Sequence, residues 1–114
     1  MPFVQARISK KLNTEEKSTL KSEILNIIGK ELSKPANFIM IGIEDGYELW
    51  LGENQLENGA MISVQHLGKA SRNAYSAISD KITGVLKQKL GTDPACVYIT
   101  FQEIPDWSWN GSLF

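Results

Sequence analysis

The chain has 114 residues, a length typical of one domain, and its 12 basic and 13 acidic side chains leave a net charge of -1. This balance argues against the basic surface that nucleic-acid binding or attachment to an acidic membrane requires. A single cysteine and a single histidine exclude an intrachain disulfide and a zinc site built from these two residue types alone. The sequence therefore predicts one folded domain over residues 1–114 that is poor in the usual catalytic side chains.

No segment of the chain predicts a membrane helix or a secretory signal. No apolar run reaches the roughly 18 residues that a membrane helix needs. The stretch MPFVQARISKK at the N-terminus lacks the apolar core of a signal peptide. We therefore expect a cytoplasmic protein with no membrane partner, and secretion by a route that needs no signal peptide stays open. No glycine-rich phosphate loop is present, and we expect no cofactor and no metal.

The first half of the chain predicts a strand, a helix and a second strand. Alternation of apolar and other residues over 3–8 predicts the first strand. Asn13 and Glu16 resemble a capping box that starts a helix, and Pro35 ends it. The run FIMIGI, residues 38–43, predicts a strand buried on both faces. The predicted core stripe of the helix is Leu20, Ile24, Leu25, Ile28 and Leu32.

Residues 44–60 predict a surface connection that separates the two halves of the chain. This segment is rich in acidic residues and glycine, and Asp45-Gly46 is a turn signal. Within it, Tyr47–Leu51 predicts a short edge strand. A connection of this length is long enough to contact a neighbouring molecule.

The second half repeats the pattern of the first. It predicts a strand over Met61–Leu67, a helix over Ser71–Leu90 closed by Gly91, and a strand over Val97–Phe101. The predicted stripe of this helix is Ile78, Ile82, Val85, Leu86 and Leu90. We therefore predict an α+β fold of two βαβ repeats, at about 2–45 and 60–103, with both helices on one face of a four-stranded mixed sheet.

Such a sheet would leave one face without a cover. The predicted strands at 38–43 and 97–101 are apolar on both faces, and an exposed apolar sheet is unusual in a monomer. We infer that other copies of the chain bury the second face or the edge. The tail over 104–114 carries Trp107, Trp109 and Phe114, which predicts that it docks on its own subunit or on the next one.

The side chains most often used in catalysis have plain structural interpretations here. His66 lies at a strand end without a carboxylate or serine partner nearby in sequence, so a surface or hydrogen-bonded histidine is the favoured interpretation. Cys96 precedes an apolar strand and is expected to be a buried, inert thiol.

The start of the chain offers a different candidate base. Removal of Met1 before the small residue Pro2 would leave a free secondary amine. A terminal amine has a pKa of about 8, and an apolar pocket lowers it by disfavouring the cation. The aromatic residues expected to form that pocket are Phe3, Phe38, Trp109 and Phe114. By itself a Met-Pro start is weak evidence, because many chains begin this way without any chemistry.

A set of short motifs, in order along almost the whole chain, resembles the macrophage migration inhibitory factor family of the tautomerase superfamily. Each motif is weak, but their order and spacing together are specific. They are Pro2-Phe3-Val4, Ser33-Lys34-Pro35, His66-Leu67-Gly68-Lys69, Asn73-Ala74-Tyr75-Ser76, Asp93-Pro94 with Val97-Tyr98-Ile99, and Trp109-Asn110.

The resemblance implies a homotrimer with active sites between subunits and Pro2 as the catalytic base. It implies keto–enol tautomerisation of an α-keto acid such as phenylpyruvate. By the same resemblance, Lys34 would hold the substrate carboxylate and the backbone of Leu67 would contact the ligand. Tyr98 would come from the neighbouring subunit, where it or a bound water would donate to the developing oxyanion.

Several positions depart from the pattern of the resembled family. Thr100 stands where animal members have an asparagine that contacts the far end of the substrate, and Phe38 and Phe101 replace tyrosines. We therefore expect a less polar pocket end. Gly59 and Ile62 occupy the positions of a Cys-x-x-Cys motif, so no thiol–disulfide activity is expected. The alternative function is a binding or signalling module with a vestigial tautomerase pocket.

Overall fold

Four of the strands form one mixed sheet, and two helices cover one of its faces. The computed structural model describes residues 1–114 and shows an α+β fold with two βαβ units, as the sequence predicts. In chain order the elements are β1 (Pro2–Ile8), α1 (Thr14–Glu31), β2 (Met40–Glu44), β3 (Trp50–Leu51), β4 (Asn54–Gln55), β5 (Ala60–Leu67), α2 (Arg72–Leu90), β6 (Val97–Ile104), β7 (Ser108–Trp109) and β8 (Ser112–Leu113).

The strand order in the sheet is β2-β1-β5-β6. Strand β1 runs parallel to β2 and antiparallel to β5, and β5 runs parallel to β6. Each helix therefore connects two parallel neighbours, and the two βαβ units meet at the central antiparallel pair. Neither helix combines the length and the apolar character needed to cross a membrane.

The core lies between the sheet and the two helices. Every second residue of β1 and β5 is buried against the helices, while the residues between them are only half-buried. In α1 the structure changes one predicted core position, because Ile27 is buried and Leu25 is only half-buried. In α2 Val85 is likewise only half-buried. The fully buried side chains include Val4, Ile8, Leu20, Ile24, Ile28, Ile62, Val64, Ile78, Ile82 and Leu86.

The ends of both helices follow from local sequence. The predicted capping box of α1 is confirmed: the Glu16 N–H donates to Asn13 Oδ1 at 2.7 Å, and the Asn13 N–H donates to Glu16 Oε1 at 3.0 Å. Ser71 caps α2 in the same manner, since its hydroxyl accepts from the Ala74 N–H. Gly91 closes α2 at a φ of 70°, a left-handed conformation that glycine adopts without strain.

The predicted second strand begins two residues too early. After Pro35 the segment Ala36–Phe38 forms a 3-10 turn, so β2 starts at Met40. The predicted edge strand over Tyr47–Leu51 is also wrong in its extent. Only Trp50–Leu51 is extended, and it pairs with β4 in a separate hairpin instead of joining the sheet.

The uncovered face of the sheet is less apolar than the sequence predicted. Strand β2 exposes Met40 and Glu44, and β6 exposes Tyr98, Thr100 and Gln102. The uncovered face is therefore mixed: the exposed apolar side chains Met40 and Tyr98 lie on it together with the polar residues Glu44, Thr100 and Gln102. Burial of β2 on both faces is not observed in the single chain.

The capping box allows a direct stability test. Replacing Asn13 with alanine should lower the free energy of unfolding by about 1 kcal/mol, because the Glu16 N–H loses its side-chain acceptor. The measurement is urea unfolding at a fixed protein concentration. The matched control is Asn26→Ala in the exposed middle of α1, which should cost nothing. Equal losses in the two variants would show that the cap does not stabilise the helix.

Candidate active site

A cleft of about 340 Å³ opens at the N-terminal end of β1. Pro2, the first residue of that strand, contributes to its lining and is itself buried. The cleft combines three distant segments: the start of β1, the turn after Pro35 and the C-terminal hairpin. Its apolar wall includes Phe3, Phe38, Ile39, Met40, Trp107 and Trp109.

Aromatic contacts hold the far segments of the cleft together. The rings of Phe38 and Trp109 meet edge to face, with centroids 5.6 Å apart and an interplanar angle of 88°. The tail hairpin is closed by the Phe114 N–H, which donates to the Trp107 carbonyl at 3.0 Å. The aromatic tail therefore docks on its own chain through Trp109, whose side chain nevertheless stays 50% exposed.

The backbone next to Pro2 depends on Met1. The Leu67 N–H donates to the Met1 carbonyl oxygen at 3.1 Å. While Met1 is present, the nitrogen of Pro2 is an amide nitrogen and the Leu67 N–H is occupied. Loss of Met1 would free an amine and a hydrogen-bond donor at the same end of β1 and β5.

The electrostatic setting of this end of β1 disfavours positive charge. Burial lowers the pKa of the amino terminus at Met1, and the positive charge of Lys34 lowers it further. Lys34 does not form part of the cleft wall, but its ammonium group is close enough to act on the terminal amine.

The position of Lys34 follows from the way α1 ends. Ser33 adopts a left-handed φ of 52°, and the Lys34 N–H donates to the Gly29 carbonyl at 3.0 Å. A Cβ at Gly29 would lie 3.3 Å from the Lys34 carbonyl oxygen, so a larger residue there would push the Lys34 backbone outward by a few tenths of an ångström. The turn directs Lys34 back towards the chain terminus.

A hydrogen-bonded set of side chains that sequence analysis did not identify lies beside Pro2. His66 is buried, and its Nε2 lies 2.7 Å from the Tyr75 hydroxyl. Tyr75 donates to Glu103 Oε2 at 2.8 Å. The expectation of a hydrogen-bonded histidine is confirmed, but its partners lie on α2 and β6. Strand register was the one available signal, because His66 and Glu103 are paired positions of β5 and β6.

The remaining predicted site residues lie away from this cleft in the single chain. Tyr98 pairs with Met61, which pairs with Arg7, and Arg7 lies five residues along β1 from Pro2, about 17 Å away. Thr100 is two residues further along β6 and is exposed on the uncovered face. Phe114 is 57% exposed and lies outside the cleft wall.

Tyr98 instead borders a small apolar pocket of about 120 Å³ beside the β3–β4 hairpin. Trp50, Met61 and Cys96 lie around the same pocket. Cys96 is half-buried, which corrects the expectation of a buried thiol. Nowhere in the chain do three or more His, Cys, Asp or Glu side chains come together as a possible metal site.

Comparison with known families decides the relationship of the chain. The family model described as "Macrophage migration inhibitory factor (MIF)" matches residues 1–114. The chain belongs to this family. The macrophage migration inhibitory factor of Xenopus tropicalis is 26% identical over 98 residues, which cover 84% of each protein.

Solved structures of low sequence identity share the fold. The crystal structure of Leishmania major MIF2 superposes with a TM-score of 0.92 at 22% identity, covering 100% of this chain and 97% of that one. The crystal structure of Pt0534 inactivated by 2-oxo-3-pentynoate superposes with a TM-score of 0.84 at 15% identity, covering 96% of this chain and 92% of that one. At these identities the likeness concerns the fold alone.

Proposed function

We propose that the protein is a keto–enol tautomerase that acts on phenylpyruvate-like α-keto acids, with the amine of Pro2 as general base. The observation that carries the proposal is that the buried Pro2 lines an aromatic cleft, in a setting that lowers the pKa of the amine at Met1. Family membership supports the same reaction class. The Pt0534 structure adds support, because its inactivator 2-oxo-3-pentynoate is an α-keto acid.

The reaction is a proton transfer without oxidation or reduction. The neutral Pro2 amine takes a proton from the carbon next to the ketone, and the electrons of that bond form a carbon–carbon double bond. The carbonyl oxygen becomes an enolate oxygen, which takes the proton back from the Pro2 ammonium. This step gives the enol and restores the neutral amine. The reverse sequence converts the enol into the ketone, so the amine is regenerated in either direction.

Two groups near Pro2 suit the ends of such a substrate. The Lys34 ammonium would bind the carboxylate, and the Leu67 N–H, freed when Met1 is removed, would donate to a substrate oxygen. The phenyl ring would lie among Phe38, Trp109 and the other apolar residues of the cleft. Phe38 and Phe101 lack the hydroxyl group that a tyrosine would carry, so we expect fewer hydrogen-bond partners for a phenolic hydroxyl of the substrate.

The site is complete only in an assembly of several copies. Tyr98 is far from Pro2 in its own chain but 60% exposed at the sheet edge, where a neighbouring subunit can receive it. We propose a homotrimer in which Tyr98 of one subunit donates to the oxyanion in the site of the next. In that assembly Thr100 and Phe114 would also approach the site from the neighbour.

The role of the Pro2 amine is tested with the mature protein, a form that retains Met1, and Pro2→Gly. Both altered forms should lose at least about a hundredfold in kcat/KM, because a positioned general base contributes that much or more. Retained Met1 makes the Pro2 nitrogen an amide, and Pro2→Gly replaces the ring-held secondary amine with a mobile primary amine. The measurement is the absorbance assay for enol-to-ketone conversion, with the intact mass reporting whether Met1 is present. Pro94→Gly, an exposed proline far from the cleft, is the matched control. Full activity in the Met1 form would contradict the mechanism.

Lys34→Ala should raise KM by about tenfold to a hundredfold, because the substrate loses a charge-assisted hydrogen bond. It should also move the acid limb of the kcat/KM profile to higher pH. Lys34 lowers the pKa of the Met1 amine, and we expect the same direction for the Pro2 amine. Its removal should therefore raise that pKa and leave less neutral amine at a given pH. Steady-state kinetics across pH measure both effects. Lys21→Ala, which removes an exposed lysine of α1, should change neither.

The shared site is tested by subunit mixing. Sedimentation should give three times the 12.7 kDa mass of the chain. Pro2→Gly and Tyr98→Ala chains should each have low activity, and an equal mixture reassembled from unfolded chains should regain about a quarter of the parent activity, because some sites then combine both intact residues. A stable monomer, or no regain in mixed trimers, would contradict the assignment of Tyr98 to the neighbouring site.

A further inference from the structure

His66, Tyr75 and Glu103 form a continuous hydrogen-bonded chain that no step of the proposed reaction uses. The His66 Nε2 lies 2.7 Å from the Tyr75 hydroxyl, and this hydroxyl lies 2.8 Å from Glu103 Oε2. The Ala70 N–H also donates to that carboxylate oxygen, at 3.2 Å. Burying a histidine that is hydrogen-bonded to two further polar side chains costs free energy unless every polar atom is paired.

The direction of the chain follows from counting protons. Tyr75 has a single hydroxyl proton. Burial, together with the hydrogen bond to Glu103, raises the pKa of Tyr75 to about 12. The Tyr75 and Ala70 hydrogen bonds lower the pKa of the Glu103 carboxyl, which is therefore ionised and accepts. The Tyr75 proton points to Glu103, so the remaining lone pair of its oxygen accepts from His66, whose Nε2 carries a proton.

The histidine in this chain is neutral near pH 7. Burial is the largest influence and lowers the pKa of His66, and the charges of Lys34 and the amino terminus lower it further. The Leu67 backbone and the negative charge of Glu103 raise the pKa of His66. The positive charge of Lys69 lowers the pKa of Glu103. The net lowering favours a ring with one proton. We assign that proton to Nε2, because the Tyr75 oxygen is the side-chain acceptor within hydrogen-bond distance of the ring.

The hydrogen-bonded series of side chains ends directly beside Pro2. In the sheet register Pro2 pairs with His66, and His66 pairs with Glu103, so the three residues form one row across β1, β5 and β6. The side chains of Pro2 and His66 are both buried on the helix-covered face. Paired residues on one face have Cβ atoms about 5 Å apart, so the imidazole and the proline ring are direct neighbours.

We propose that Tyr75 and Glu103 are positioning residues that hold His66 as an uncharged Nε2–H ring against Pro2 and thereby fix the orientation of the catalytic amine. The inference rests on the proposed tautomerase function. When both the position and the tautomer of the imidazole are fixed, the proline ring packs against one constant surface. It also keeps an additional positive charge away from the amine.

The first test separates positioning from mere stability with Tyr75→Phe. This variant removes the hydroxyl but keeps the ring that stacks on Phe101 at 4.4 Å. Because a misplaced base lowers the rate of the chemical step, kcat should fall about tenfold while KM changes less than about threefold. Tyr47→Phe, a tyrosine outside this row, is the matched control and should leave both constants unchanged.

The second test observes the ring proton directly. His66 is the only histidine, so nitrogen NMR of histidine-labelled protein reports a single imidazole. The parent should show the neutral Nε2–H form at pH 7, and Tyr75→Phe should lose it because the N–H has no acceptor. His66→Gln offers an amide N–H to Tyr75 without charge and should keep kcat within about threefold of the parent, whereas His66→Leu should lose about tenfold.

The outcomes distinguish this inference from the proposed function. An active parent with an unchanged kcat in Tyr75→Phe, or a parent whose His66 carries its proton on Nδ1, overturns the positioning role alone. An inactive mature parent overturns the tautomerase function. In that case the NMR signals of the Pro2 ring decide whether Tyr75 positions the amine. These signals should shift in Tyr75→Phe but not in Tyr47→Phe. Unchanged signals in Tyr75→Phe overturn the positioning role.

Discussion

The antiparallel pairing of β1 with β5 is the contact on which the rest of the molecule depends. It lies at the centre of the four-stranded sheet and joins the two βαβ halves. Its register determines which residues face the helices, and a slip of one residue would turn every side chain of β1 to the opposite face. The same register places Pro2 opposite His66 and brings the Leu67 N–H to the Met1 carbonyl. The core and the candidate site are therefore two consequences of one strand pairing.

A small domain has little interior in which to build a private active site. This chain builds its cleft from parts that surround the end of one strand: a turn after α1, a terminal hairpin and the strand itself. The Phe38–Trp109 contact joins two of these parts. The candidate base is a backbone amine, which explains how a chain with one histidine and one cysteine can be proposed as an acid–base catalyst.

The same sheet geometry explains why the proposed site needs a second chain. Tyr98 lies on the edge strand β6, in line with Arg7 and far from Pro2 along β1. The backbone cannot bring these residues together within one sheet, because strand spacing and rise per residue are constant. Tyr98 is exposed at a sheet edge and lies outside the cleft of its own chain, and the proposed homotrimer would bring the two together.

The sequence by itself determined the elements whose signals are local. Period-two alternation located β1, the Asn13 and Glu16 pair located the start of α1, and Gly91 located the end of α2. These signals are readable because the side chains of a strand alternate between its two faces, and because the residues that cap a helix lie close to it in sequence. The Met-Pro start offered Pro2 as a weak candidate base. The motifs that resemble a known family strengthened that candidate and added Lys34, which its local pattern would not have marked.

Only the tertiary structure decided features that depend on distant partners. The 3-10 turn that delays β2 to Met40 presents Phe38 to Trp109, which lies near the other end of the chain. The link from His66 to Tyr75 and Glu103 joins residues up to 37 positions apart on three elements, and no local pattern encodes it. It forms because strand register and the packing of α2 bring the three side chains to the row that contains Pro2.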